Sequence, residues 1–381
     1  MVRLGFGSFD TQPFYARARS VGLNAIYPRT CRCSCQSYPR RFALCSERVY
    51  PKDMSDSQVD AEFSDADEMR AMAVFSPVVF RKVWEGAGRQ QRFAHYTSAS
   101  AALSIIEGRS VWLRNARYLD DITEVIHGID HLIAFFNSDE ADPFWNLVDH
   151  RSSNVSDRII QLFNGWSPDM QTNTFVTCLS EHDDDEDEIG RLSMWDLYGK
   201  SGAPVALVIN PQQIFSSSDV LKAYSFPVLY GNGENAFSVF RQTITAMNEN
   251  SDFVRSIPDE RLLAHVFHML HSLSFCLKKP IFREQREWRV VYRPSFQPSD
   301  VITESIEIIK DVPQKVHRLP LQDVPEQGLV GIEPGTLLNR ILIGPSQHQA
   351  ETRRLFIERL SSLGFANAAS MVCAVDAPLR R

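Results

Sequence analysis

The chain has little of what marks several broad protein classes. Seven cysteines in 381 residues are few, and Cys31, Cys33, Cys35 and Cys45 all lie near the N-terminus, leaving Cys178, Cys276 and Cys373 for the rest. Such sparse usage excludes a disulfide-stapled scaffold and fits a reducing compartment. No stretch reaches the roughly 18 to 20 uninterrupted apolar residues that a membrane-spanning helix requires. A basic excess is missing too: the net charge of -7 argues against a protein that holds nucleic acid on a strong cationic surface. No glycine-rich phosphate loop is present. The CRCSC cluster at 31–35 lacks the second ligand pair of a structural zinc site, so no metal is expected.

What is there is globular. A hydrophobic content of 44% with 10% aromatics over this length can bury a substantial core, in one large domain or two modest ones. The charge is uneven: up to Asp53 nine basic residues face three acidic ones, a balance of +6, which leaves -13 for the remainder. Residues 1–74 are therefore expected to be a disordered or mis-annotated leader, with an over-extended reading frame before Met54 as the preferred origin and organelle targeting as the other. Residues 75–381 are expected to form a single α+β domain with helical insertions at about 122–165 and 236–276.

Short strands are expected at Phe93–Thr97, Ser110–Ala116, Thr174–Ser180, Pro204–Asn210, Trp288–Tyr292 and Ile341–Ile343. Ser98 or Ser100 caps a helix that ends at Gly108. The acidic run HDDDEDE at 182–188 reads as a solvated loop without packing value. In REQREWRVV at 283–291, the two-residue period of a strand sends Gln285, Glu287 and Arg289 to one face and Arg286, Trp288 and Val290 to the other. The simplest roles are structural: Glu287 pairing with Arg283 or Arg289, and Trp112, Trp195 and Trp288 in the core. His127 and His131 share a helix face without the glutamate of a zinc protease motif, and His265, His268 and His271 drift round their helix, so both sets are expected to be structural.

Three segments, His95-Tyr96-Thr97-Ser98, Leu179-Ser180 through Met194-Trp195 and Tyr198, and Glu287-Trp288-Arg289, stand in an order that resembles a bacterial family known only as domain of unknown function 2971. Gly108, Trp112-Leu113, Ile341 and Gly344-Pro345 extend the likeness over roughly residues 93 to 360. Where that family carries Asn-Asp-x-x-Glu, this chain has Asp120-Asp121-Ile122-Thr123-Glu124. An ionised Asp120 cannot donate the hydrogen bond an asparagine gives, although three carboxylates there also suggest a divalent-ion site and a nuclease.

The opening His-x-Thr-Ser, helix, glycine and strand is also similar to the start of ADP-ribosyltransferase domains. That likeness implies a mixed sheet core of ADP-ribosyltransferase-like type, with NAD as substrate. It implies His95 as the ribose contact, Glu287 as the catalytic carboxylate and Gln285 as its helper. Phe175 or Tyr198 would stack on the nicotinamide, and Tyr96, Thr97, Ser180 and Arg289 complete the expected cofactor contacts. A fixed carboxylate suits glycosidic cleavage, because positive charge builds on the ribose in the transition state. The function so implied is an NAD-consuming ADP-ribosyltransferase or NAD glycohydrolase, a cytoplasmic effector in phage or stress defence with an unknown acceptor and no membrane partner. The other reading is a non-catalytic member of the same fold that binds a nucleotide or a protein.

Overall fold

A computed structural model describes residues 65–118, 124–150, 154–199, 202–214 and 220–377. The cysteine cluster, Met54, Asp120 and Asp121, and the side chain of Glu124, lie outside the described residues. The folded part already includes residues before the expected start near residue 75. Asp65–Phe75 is a helix whose Ala71, Val74 and Phe75 are buried, and a second helix, Pro77–Gly88, buries Val79 and Val83.

The architecture is mixed α and β, with one ten-stranded mixed sheet and many helices. In chain order the strands are β1 (Arg92–Ser98), β2 (Ser110–Asn115), β3 (Phe175–His182), β4 (Pro204–Ile209), β5 (Ala223–Pro227), β6 (Leu229–Tyr230), β7 (Leu277–Lys278), β8 (Glu287–Tyr292), β9 (Thr303–Ile309), β10 (Val312–Pro320), β11 (Leu338–Ile343) and β12 (Val372–Ala374). The path through the large sheet is β12-β11-β4-β1-β3-β2-β10-β9, with β8 joining β3 to β5, and β6 and β7 form a separate parallel pair. All pairings in the large sheet are antiparallel except β11 with β12.

The sheet forks at β3. β8 pairs with β3 along Phe175–Ser180, so β1 and β2 must share the opposite edge. β1 takes the end of that edge through Ala94↔Ser180, and β2 takes its beginning through Arg114↔Val176. Past Ala94, β1 has no partner on β3, while its other edge stays paired with β4 from Phe93 to Ser98. The Ala99–Gly108 helix spans the gap. Its start is fixed by Ser98, whose Oγ accepts from Ala101 N at 3.3 Å. It ends at Gly108 as expected, although the left-handed conformation, at φ 43°, falls on Arg109 and not on the glycine.

Helices cover the sheet in two runs, Glu124–Phe136, Asp142–Val148 and Val155–Thr172, then Glu234–Glu249, Ser251–Ser256 and Asp259–Cys276. From Val266 to Cys276 the last of these is buried on nearly every side, with His271, Ser272 and Ser274 enclosed among its apolar residues. Gly128 lets the first helix touch it, since a Cβ there would meet the Ser274 carbonyl oxygen at 2.1 Å.

Candidate functional site

Side chains directly opposed across antiparallel strands share a face, and neighbours along a strand alternate. The row Ala94↔Ser180↔Glu287 thus lies on one face, followed on β3 and β8 by Cys178↔Arg289. Tyr96, two residues from Ala94, belongs to the same face. His95, Thr97 and Phe175 lie on the other. The structure therefore puts Glu287, Arg289, Ser180 and Tyr96 on one face of the sheet and His95 on the other. The single pocket expected to join His95 with Glu287 is replaced by two environments divided by the sheet.

On the first face Glu287 is 5% exposed and held by two cations. Lys278 Nζ lies 2.5 Å from one carboxylate oxygen and Arg289 Nε 2.6 Å from the other. Burial alone pushes this carboxyl up, but Arg289 and Lys278 together outweigh it and bring the group down to about 2. The pairing with Arg289 was one of two options in the sequence. Lys278 was missed, because it sits nine residues away in a two-residue strand that no local pattern marks. Gln285 also reaches Lys278 Nζ, at 2.8 Å, so the Gln-x-Glu pair does converge, on that cation. Arg289 NH1 further donates to the Phe275 carbonyl at 2.9 Å, and Tyr230 Oη accepts from Glu287 N at 2.8 Å. The nearby Cys178 thiol is pushed well up, chiefly by burial and then by Glu287, which makes it a poor nucleophile.

Tyr96 is committed to structure: its hydroxyl accepts from Arg191 N at 3.0 Å, and its ring meets Trp195 edge-on at 4.9 Å. Tyr198 packs against the same small cluster, and Trp195, fully buried, is clasped by glycines. A Cβ on Gly190 would come within 2.4 Å of its ring, and one on Gly344 within 2.7 Å. Phe175 is 1% exposed and edge-on to His317 at 4.2 Å, leaving no free ring face to receive a nicotinamide.

The acidic run is corrected from a solvated loop to an ion-pair hub. Asp183 pairs with Arg286, Asp184 with Arg92, Glu186 with Arg191, and Asp187 with Arg92, Arg340 and His182. These pairs tie the end of β3 to β1, β11 and the turn before β8. Residues distant in sequence supply every guanidinium except that of Arg191, so no local pattern announces the network.

On the second face, in the fork, lies an apolar cavity of about 150 Å³. Its walls include Val83, Ile106, Leu207, Val290, Leu319 and Leu338, and its polar side chains are His95, Thr177, Tyr224 and Ser225. His95 Nδ1 stands 2.9 Å from the Cys178 carbonyl oxygen, one of the β3 groups left without a strand neighbour on that edge. A carbonyl only accepts, so Nδ1 carries the proton. Burial lowers the His95 pKa against the opposing effect of that hydrogen bond, and the ring is neutral near pH 7.

The other histidines are held by backbone or packing. His127 Nε2 lies 3.0 Å from the Gly231 carbonyl oxygen, and His131 Nε2 accepts from Gly233 N at 3.1 Å. Among the described residues no three His, Cys, Asp or Glu side chains are grouped to hold a metal ion, and no described helix is long and apolar enough to cross a membrane.

A mixed α/β chain with a forked sheet and these two environments defines a broad class. Within it, residues 194–290, 97 of the 381, match the model of a family described as protein of unknown function (DUF2971). That match supports the family resemblance from the Trp195 helix to β8, a narrower stretch than the motifs suggested. Neither a curated protein nor a solved structure matches the chain.

Proposed function

We propose that this chain is a non-catalytic binding member of the family that residues 194–290 match, holding a ligand or partner without turning over NAD. One observation carries the reading: Glu287 is buried between Lys278 and Arg289, on the sheet face opposite His95. Releasing such a carboxylate to face a ribose means separating a buried ion pair, a change that costs about 3–5 kcal/mol when one partner is removed. The test is incubation of the purified chain with NAD, alone and with cell extract. No free nicotinamide above the blank is expected. Release that Glu287→Gln abolishes would overturn the reading.

A second reading keeps the NAD-consuming activity. It is favoured by the convergence of Gln285 and Glu287 on Lys278. On this reading the sheet is of ADP-ribosyltransferase-like type, NAD binding draws Lys278 aside, and the protein is a cytoplasmic effector in phage or stress defence. Its distinguishing outcome is nicotinamide release that depends on both Gln285 and Glu287.

A further inference from the structure

The cavity in the fork is unusual in what its polar atoms have left to offer. The Ser225 hydroxyl is spent on the Ile214 carbonyl at 2.7 Å, and the Tyr224 hydroxyl on Gln297 at 2.6 Å. His95 uses only Nδ1. With Nδ1 protonated and the ring neutral, Nε2 presents a lone pair, and among the described residues nothing donates to it. Thr177 Oγ1 likewise has no partner there. His95 sits deep in the fold yet remains only half-buried, as do Ile105, Val111 and Val290. The surface these residues retain lies on the cavity wall.

We propose that this cavity is a binding site for a small, uncharged, ring-sized molecule, apolar except for one hydroxyl or N–H group that donates to Nε2 of His95. The proposal rests on the binding reading above and gives it a ligand class. Size sets the scale, since an apolar space of about 150 Å³ accommodates one benzene-sized ring. A nucleotide is disfavoured by that scale and by a wall that offers no cation to a phosphate. A carboxylate or phenolate is disfavoured because a buried charge needs a partner, and a neutral imidazole acceptor repels it. A hydrocarbon fits the walls but leaves Nε2 unanswered. Phenol and indole have the required shape and donor.

The experiment titrates the full chain with phenol, toluene and benzoate at neutral pH, following the His95 ring protons by NMR. Phenol is expected to bind saturably and shift those protons. Toluene is expected to bind about tenfold more weakly, the worth of one hydrogen bond, and benzoate not at all. His95→Leu should bring phenol down to the toluene level, and Ala223→Leu, which places a larger side chain in the cavity, should remove both. If Ala223→Leu does not fold, the wild-type His95 shifts still decide. Absence of saturable binding, or phenol binding that leaves the His95 protons unmoved, overturns the proposal. NAD is added to the same preparations: nicotinamide release would sink the binding reading, whereas the phenol titration alone judges the cavity.

Discussion

The two faces of the sheet at β3 solve the same problem, a strand edge with polar groups in the interior, in opposite ways. On the Glu287 face the buried charges answer one another: Lys278 and Arg289 neutralise the carboxylate, and Arg289 is itself tied to the Phe275 carbonyl. On the His95 face a single imidazole closes the gap left by the fork, and the remaining space is lined by aliphatic side chains and stays open. A saturated network resists change, because any shift exposes a buried charge. An unsaturated apolar cavity can accept a guest at little cost, because its walls hold no ion pair that a guest would have to break. The residues chosen for their chemical types were therefore the least available ones, and the open site lies where only His95 had been singled out.

The largest expected effect strikes the saturated face. Glu287→Leu leaves two buried cations without a counter-charge and should lower stability by about 3–5 kcal/mol in urea unfolding. The triple change Lys278→Met, Glu287→Leu and Arg289→Met should recover most of that loss, since apolar replacement of a whole buried ion cluster is often neutral or stabilising. A triple variant no better than the single would mean the network does more than neutralise itself. Next comes Gly344→Ala, whose methyl would overlap Trp195 and Pro204 on the same face. Such overpacking should cost about 1–3 kcal/mol, read as a lowered urea midpoint with loss of the Trp195 fluorescence environment.

Acid separates the buried groups by their windows. Burial lowers His265 to about 4 and His268 to about 3, against an ordinary 6.5. The stability they hold in the neutral form is present above pH 6.5 and is lost as pH falls through 4 and 3. Glu287, brought from 4.5 to about 2, contributes above 4.5 and loses its contribution between 4.5 and 2. Unfolding free energy should thus begin to fall below pH 6.5, and His268→Leu should make the fall between 6.5 and 3 shallower while the His265 and Glu287 shares remain. The smallest effect is on the open face. Val290→Ile adds one methylene to the cavity and should stabilise the chain by up to about 0.8 kcal/mol; a loss instead would indicate that the cavity has no room for it beside Val290.

Much of the secondary structure was legible, for identifiable reasons. β1, β3, β4 and β8 are β-branched or aromatic runs bounded by polar breakers, and the helix break at Ile257-Pro258 follows from proline. The β9–β10 hairpin was not legible. Its exposed Ile306 and Ile308 reverse the usual inward alternation. Its turn residues Lys310 and Asp311 both take positive φ, 51° and 62°, without the glycine or asparagine that normally signals such a turn. Pro77–Gly88 was not legible as a helix either, because its glycines and Arg-Lys pair mask an apolar stripe of Val79 and Val83.

By itself the amino-acid order determined the elements near the site and the parity of β8, since a strand alternates whatever lies beside it. It also placed Glu287 beside Arg289 on one face and Trp288 on the other. It did not determine which face His95 would join, because that depends on the register Ala94↔Ser180↔Glu287 across three strands far apart in the chain. A shift of one residue in either pairing would have put His95 on the same face as Glu287, across β3. Only the tertiary structure decided the register, through the fork at β3, the ion pairs at the strand ends and the packing of Trp195 against its two glycines.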